Sequence, residues 1–156
     1  MNARCRAIAL MFSLIAATAT AQTTHDARIL LGETSSGEVY PDGSTRVGYT
    51  LGGAARGDLE GRLSLTLSLQ PGHAGPGVTN SITGSNWSLD FDDGTSIWGT
   101  VDGGSIVWSS SGHTGAITVR LTIAGGSVSS GSGSVTGTIV RGEGSSRLRG
   151  SLSLTF

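Results

Sequence analysis

Residues 62–69 read RLSLTLSL, and residues 148–156 read LRGSLSLTF. Apolar and polar side chains alternate along both stretches. Successive side chains of a β-strand point to opposite faces, so this alternation predicts strands with one apolar and one polar face. No stretch shows the 3.6-residue periodicity of an amphipathic helix over the length that a helix needs. The sequence therefore predicts an all-β protein.

Weaker alternating stretches accompany these two along the chain. The pattern predicts strands at residues 27–31, 45–51, 62–69, 87–91, 97–101, 105–110, 117–123, 135–139 and 147–156. Gly, Pro and Asp mark the predicted turns and loops between them, at Pro41-Asp42-Gly43, Gln70 to Ile82, Asp93-Gly94, Asp102-Gly103-Gly104, Gly125-Gly126 and Gly142 to Ser146. Short turns between successive strands are typical of an antiparallel meander.

About eight or nine strands must hide one apolar face each, and a closed barrel or a two-sheet sandwich achieves this. The short connections favour a single antiparallel up-and-down β-barrel of about eight strands. Glycines within the predicted strands, Gly99, Gly137 and Gly150, would relieve crowding where strands coil tightly. A two-sheet β-sandwich remains the alternative, because the sequence does not decide whether the sheet closes.

The first 21 residues have the pattern of a cleavable signal peptide. Arg4 and Arg6 precede an apolar segment from Ala7 to Ala17, and Ala19-Thr20-Ala21 forms a small-x-small cleavage site. An apolar segment of this length is shorter than the roughly 20 residues that span a bilayer as a helix. We therefore expect residues 22–156 to form one exported domain, secreted or periplasmic.

Composition narrows the range of partners. All ten basic residues are Arg, and two of them belong to the predicted leader. The remaining eight Arg and the 11 acidic residues give the predicted mature chain a formal charge of −3. Such a chain has no basic field to attract nucleic acid or anionic lipid. The single cysteine, Cys5, also lies in the leader, so disulfides are not expected to stabilise the fold.

No motif predicts a catalytic residue, a cofactor-binding residue or a metal ligand. His25, His73 and His113 fall at a terminus or in predicted turns, without the clustered partners of a metal site. The acidic run from Asp90 to Gly94 lacks the third ligand and the later bidentate Glu of a calcium loop, so it is interpreted as a hairpin turn. The default prediction is a protein without enzymatic activity and without cofactors.

The tryptophans divide by their phase in the alternation. Trp87 is in phase with Leu89 and Phe91, which predicts a core position. Trp98 is in phase with the polar side of its strand, opposite to Ile97. An outward-pointing tryptophan is the best candidate for a surface contact, and Trp98 is the one residue predicted as such.

An outer-membrane barrel is a competing interpretation, because residues 148–156 alternate and end in Phe156. The predicted strands argue against it. A strand of seven residues rises about 23 Å and, tilted by about 45°, spans about 16 Å of the ~25 Å apolar band. On that geometry a membrane location is disfavoured.

Two segments carry a resemblance to a known family. Ser85 to Val101 (SNWSLDFDDGTSIWGTV) with Gly103 to Val107, and Ile139 to Gly144 (IVRGEG) with Arg147 to Gly150, resemble secreted bacterial proteins with the allene oxide cyclase and dirigent type of barrel. The resemblance implies an eight-stranded barrel with an apolar interior, which in the family's enzymes encloses a small hydrophobic substrate. No catalytic residue of that family can be matched to a position in this chain.

Two functional hypotheses stay open, and the oligomeric state is undetermined. In the first, the barrel lumen binds a small apolar molecule, which requires an interior cavity with a polar group or two. In the second, leucines such as Leu63, Leu65 and Leu67 fill the lumen, and the Ser/Thr-rich exterior serves a structural or adhesive surface protein.

Overall fold

The computed structural model describes residues 21–35, 48–70, 76–142 and 145–156. Some sequence-based predictions lie wholly or partly outside these residues: the signal peptide up to residue 20, the Pro41-Asp42-Gly43 turn, the start of the strand predicted at 45–51, residues 71–75 of the loop predicted over Gln70 to Ile82 together with His73, and part of the turn before the final strand. No helix is present in the described ranges, and none of their segments is a helix that could cross a membrane.

The described chain forms eight antiparallel strands in one closed barrel, with each strand hydrogen-bonded to its sequence neighbours. The strands are β1 (Thr24–Ser35), β2 (Gly48–Gly57), β3 (Gly61–Leu69), β4 (Thr79–Phe91), β5 (Ser96–Trp108), β6 (Thr114–Gly126), β7 (Gly131–Arg141) and β8 (Ser146–Thr155). The predicted up-and-down barrel is confirmed, and the sandwich alternative is set aside.

Pairing between β1 and β8 closes the sheet. Nine consecutive residue pairs run from Thr24 opposite Thr155 to Gly32 opposite Arg147. The strongly alternating segment 148–154 thereby has a partner strand on each side, β7 and β1. Closure removes the exposed edges that an open sheet would present, and with them the unpaired backbone groups.

Several predicted boundaries are wrong. The loop predicted over Gln70 to Ile82 ends earlier, because β4 already begins at Thr79. The turn predicted at Asp102-Gly103-Gly104 is absent: β5 runs through it, with φ angles of 130° at Gly103 and 152° at Gly104 and an irregular register against β6. Gly103 and Gly104 are typical turn residues in the sequence, but in the structure they accommodate a bulge in a continuous strand.

The alternation correctly identifies the buried face. Leu63, Leu65 and Leu67 on β3 are essentially inaccessible, whereas Arg62 and Ser64 between them are exposed. Trp87 is 2% exposed, as its phase predicted. Apolar side chains from all eight strands form one continuous buried cluster inside the barrel. Burial of this surface is the main favourable contribution to folding.

The predicted in-strand glycines lie where neighbouring backbones leave no room. Gly137 on β7 pairs directly with Gly150 on β8. A Cβ built on either would collide with a backbone carbonyl oxygen, that of Arg149 for Gly137 and that of Thr136 for Gly150. A residue with a side chain at either position would force the two strands apart, so the prediction that these glycines relieve crowding is confirmed.

The strand lengths overturn the geometric argument against a membrane barrel. β4, β5 and β6 each have 13 residues, which corresponds to a rise of about 43 Å and, at a tilt of about 45°, a span of about 30 Å. The chemistry of the faces is a better discriminator. The outward face carries Arg28, Asp90 and Arg120 around an apolar interior, the reverse of transmembrane barrels, which have an apolar outer band and a polar lumen.

Candidate functional site

The ends of odd-numbered strands and the starts of even-numbered strands meet at the same end of an up-and-down barrel. In this barrel, that end gathers inward-facing polar and aromatic side chains from six strands. We call it the polar end and define it by Glu33 on β1, Tyr49 on β2, Asn80 on β4, Trp108 on β5, Arg141 on β7 and Ser146 on β8. The six residues are spread along the sequence rather than grouped in one motif. Only the topology of the barrel brings them together.

Asn80 and Trp108 form a buried pair at the polar end. The Trp108 indole Nε1 donates a hydrogen bond of 2.8 Å to Oδ1 of Asn80. Asn80 is 5% and Trp108 2% exposed. A buried indole N–H without an acceptor would cost about 1–3 kcal/mol. Asn80 therefore stabilises the large aromatic ring inside the barrel and fixes its orientation.

Arg141 lies over the ring of Trp108. Its guanidinium carbon is 4.0 Å from the ring centroid, which is a cation–π contact. Gly115, which pairs with Trp108 across β5 and β6, makes room for the indole: a Cβ at Gly115 would lie 3.0 Å from Cε3 of the ring. One face of the Trp108 indole is therefore in contact with the guanidinium of Arg141.

Glu33 continues the inward face of β1 beyond Ile29 and Leu31. Its Oε2 accepts a hydrogen bond of 2.8 Å from the backbone N–H of Ser146 on the neighbouring strand β8. The other oxygen, Oε1, is buried, as is the hydroxyl oxygen of Tyr49. Opposite charges on Glu33 and Arg141, carried by the strands on either side of β8, therefore face the interior at the polar end.

The opposite end of the barrel is closed by apolar and aromatic side chains. Leu59 is buried there, and Phe91 and Phe156 pack partly buried against the core. His25 turns inward and stacks on Phe156, with ring centroids 4.6 Å apart and planes 19° from parallel. His25, which the sequence pattern assigns to a terminus, therefore lies half-buried within β1.

The polar end was not predicted from the sequence, although the alternation contains a signal for it. Glu33 has the same parity as Ile29 and Leu31, and Ser146 has the same parity as Leu148 and Leu152. Extending each apolar row by one more position would have placed these polar side chains on the inner face. The predicted apolar rows instead end at Leu31 on β1 and begin at Leu148 on β8.

Trp98, the residue predicted for a surface contact, lies on the outer face of β5 and is 50% exposed. Its predicted orientation is confirmed, while a contact function stays a prediction. The side chain lies opposite Ser88 on β4 and Gly125 on β6, far from the polar end along the strand. The structure therefore does not bring Trp98 and the polar-end residues into one site.

The acidic run in the β4–β5 connection forms the predicted hairpin turn. Phe91 and Thr95 are joined by a backbone hydrogen bond of 2.9 Å, and Gly94 has a φ of 84°. Asp93 accepts bonds from the Thr95 hydroxyl at 2.7 Å and the Thr95 N–H at 2.8 Å. These hydrogen bonds lower the pKa of Asp93 below its usual value, and the bond from the Thr95 hydroxyl has the largest effect. Among the described residues, no three His, Cys, Asp or Glu side chains are grouped to hold a metal ion.

A depression of about 710 Å³ indents the outer face beside β1, β2 and β8. Its lining includes both acids and arginines, Asp26 and Asp58 with Arg28 and Arg56. Arg28 and Arg56 are direct cross-strand partners. The mixed charges give this surface no single preference for an anionic or a cationic partner.

The fold and the polar end together define a class: a closed, eight-stranded antiparallel barrel with a packed apolar interior and polar side chains facing inward at one end. Comparison of the chain with models of protein families, with curated proteins and with solved structures finds no match. The resemblance to barrels of the allene oxide cyclase and dirigent type therefore stays a prediction.

Proposed function

We propose that this chain is an exported binding protein whose barrel holds a small, mainly apolar molecule at the polar end. The observation that carries the proposal is the inward-facing Glu33, Asn80 and Arg141 at one end of an otherwise apolar interior. Ligand sites are commonly apolar surfaces with a few converging polar groups, often at the mouths of barrels. Export rests on the leader pattern in the sequence.

The buried cluster limits how far a ligand can enter. Leu31, Leu51 and Leu148 are fully buried just beneath the polar end, within the continuous core. An eight-stranded barrel has an interior only just wide enough for its own side chains. The ligand therefore lies at the mouth of the barrel, beside the partly exposed Glu33 and Arg141, rather than deep in the lumen.

Glu33 is the group best suited to recognise a polar atom of the ligand. A carboxylate oxygen can accept more than one hydrogen bond, so a ligand donor can bind beside the Ser146 N–H and the other contacts of Glu33. The ligand class that fits is an apolar, preferably aromatic molecule with one hydrogen-bond donor. The donor faces Glu33, and the apolar body lies beside Arg141 at the barrel mouth.

N-phenyl-1-naphthylamine, an aromatic molecule with a single N–H, is a suitable probe. In a Trp98→Phe background, which removes the exposed indole, we expect a saturable rise in probe fluorescence and energy transfer from tryptophan. Glu33→Gln should weaken binding about tenfold, the effect of losing about 1.5 kcal/mol of a charged hydrogen bond. Glutamine can still accept the Ser146 N–H, so the barrel should remain folded.

Glu60→Gln provides the matched control, because Glu60 is exposed near the start of β3, at the opposite end of the barrel. Its affinity for the probe should equal that of the parent. Absence of saturable binding, or equal weakening by both glutamine substitutions, would show that the polar end is not a ligand site.

A second candidate function, a structural or adhesive surface protein, is favoured by the outer face of β6 to β8. Thr118, Thr136 and Ser151 lie side by side on these three strands as direct cross-strand partners. All three are exposed. Such rows of hydroxyls form a polar contact surface that is separate from the polar end.

A further inference from the structure

The indole of Trp98 lies flat on the outer surface of the barrel. A Cβ built on Gly125, its partner on β6, would lie 2.7 Å from Cζ2 and 3.1 Å from both Cε2 and Cη2, the two ring neighbours of Cζ2. Such nearly equal distances place Gly125 beneath the face of the ring, not beside its edge. Gly125 is not among the glycines with positive φ, so its missing side chain serves to make room. Half of the Trp98 side chain is exposed to solvent.

A fixed group of hydrogen-bonding side chains lies further along the same face of β5. Asp102 accepts hydrogen bonds from the hydroxyls of Thr100, at 3.0 Å, and Thr122, at 2.5 Å. All three residues are exposed. Because both hydroxyl hydrogens point at the carboxylate, the lone pairs that remain on these side chains are acceptors for donors from outside.

Two irregularities in the β5–β6 pairing flank this surface. The register shifts between Trp98 and Gly99 and again between Val101 and Gly103, so that Asp102 has no direct partner on β6. Bulges of this kind re-aim side chains and are frequent beside functional sites. Here the irregular pairing accompanies an exposed aromatic ring and an oriented carboxylate on one face.

We propose that Trp98, Thr100, Asp102 and Thr122 form a binding surface for a neutral oligosaccharide. The face of an indole carries negative charge density, which attracts the polarised C–H groups on the flat side of a pyranose ring. The hydroxyl groups of a sugar are donors that match the acceptor-rich cluster at Asp102. This proposal is independent of a ligand at the polar end.

Spacing and charge narrow the ligand class. Trp98 and Asp102 are four residues apart along the strand, about 13 Å between their Cα atoms, which is longer than one sugar ring. An oligosaccharide can contact both, whereas a monosaccharide cannot. Two exposed carboxylates on this side of the barrel, Asp102 and Asp90, are offset by two exposed arginines, Arg62 opposite Asp90 on β3 and Arg120 on β6. A surface without net charge does not attract acidic glycans.

Native gel electrophoresis of the purified protein in gels that contain a polysaccharide tests the proposal. Mixed-linkage β-glucan, galactomannan and pullulan are the neutral probes, and polygalacturonate is the acidic one. We expect at least one neutral polysaccharide to retard the protein and polygalacturonate to leave its migration unchanged. Trp98→Ala should weaken binding at least tenfold.

Two further variants separate stacking from the mere presence of the indole. Gly125→Ala keeps Trp98 but lifts its ring from the sheet, and should weaken binding at least threefold. Asp102→Asn should weaken it similarly, because one carboxylate oxygen becomes a donor. Both variants keep the test decisive if Trp98→Ala fails to fold by circular dichroism.

Leu30→Ala is the matched control, since Leu30 is 52% exposed on β1 and outside the proposed surface. Its migration should match that of the wild-type protein. The proposal is overturned if none of the neutral polysaccharides retards the protein, if polygalacturonate alone does so, or if retardation is undiminished in both Gly125→Ala and Asp102→Asn.

Discussion

Nε1 of Trp108 donates a hydrogen bond to Oδ1 of Asn80 inside the barrel, across the β4–β5 pair. The two residues lie 28 positions apart in the sequence and both at the open end of the β4–β5 hairpin. This hydrogen bond joins Trp108, the largest buried aromatic side chain of the polar end, to the buried carboxamide of Asn80. Through the cation–π contact with Arg141, it also reaches β7.

Asn80→Leu should lower the free energy of unfolding by about 1–3 kcal/mol, because it leaves the buried indole N–H without its acceptor. Adding Trp108→Phe removes that N–H, so the double variant should lose less than the sum of the two single changes. Urea unfolding of all four proteins measures the coupling. Strictly additive losses would contradict a stabilising bond between the two side chains.

Leu65→Asp should destabilise the barrel by about 4 kcal/mol or more, since Leu65 is fully buried and an unpaired carboxylate there has no partner. Ser64→Asp, one residue away on the exposed face, should change stability by less than about 0.5 kcal/mol. Thermal unfolding of the pair checks whether the alternation marks burial. Similar melting temperatures for the two variants would argue against it.

Ser85→Gly should stabilise the protein by about 1 kcal/mol. Ser85 has a φ of 138°, in a region that side-chain-bearing residues rarely adopt, and glycine relieves that strain. Ser88→Gly, in the same strand without a positive φ, should instead lower stability by about 0.5–1 kcal/mol. Chemical denaturation distinguishes the two, and a loss of stability in both would mean that Ser85 is unstrained.

Asp93→Asn should destabilise the protein near neutral pH, and the difference from wild type should shrink as the pH falls below about 4. Hydrogen bonds from Thr95 lower the pKa of Asp93. A lowered pKa in the folded state contributes stability above the unfolded-state pKa, which is lost as the pH falls through the folded-state value. Unfolding curves across this range, with the exposed neighbour variant Asp92→Asn as a control, make the comparison. A difference that does not change with pH would contradict the prediction.

The strands most accurately predicted from sequence were those with uninterrupted alternation. Residues 62–69 and 117–123 fall inside β3 and β6, and their apolar members are buried. Prediction failed where glycine interrupts the pattern. Gly103 and Gly104 indicate a turn when only local preference is considered, but pairing with β4 and β6 holds them in an extended strand.

The two candidate sites also differ in how far local sequence could predict them. Trp98 could be assigned to the outer face because its parity relative to Ile97 depends only on neighbouring residues. The packing of its ring on Gly125 could not be predicted, because that contact depends on the register between β5 and β6. Glu33, Asn80 and Arg141 were missed because each lies alone at the end of its own strand.

The sequence by itself determined that the chain forms strands and which face of each strand is buried, because alternation is a property of adjacent residues. Closure of the barrel was decided only by the tertiary structure, through pairing of β1 with β8, whose paired residues are more than 100 positions apart. Closure also placed the ends of alternate strands together. Physical proximity of Glu33 to Ser146, and of Arg141 to Trp108, is therefore a consequence of topology, which no local pattern specifies.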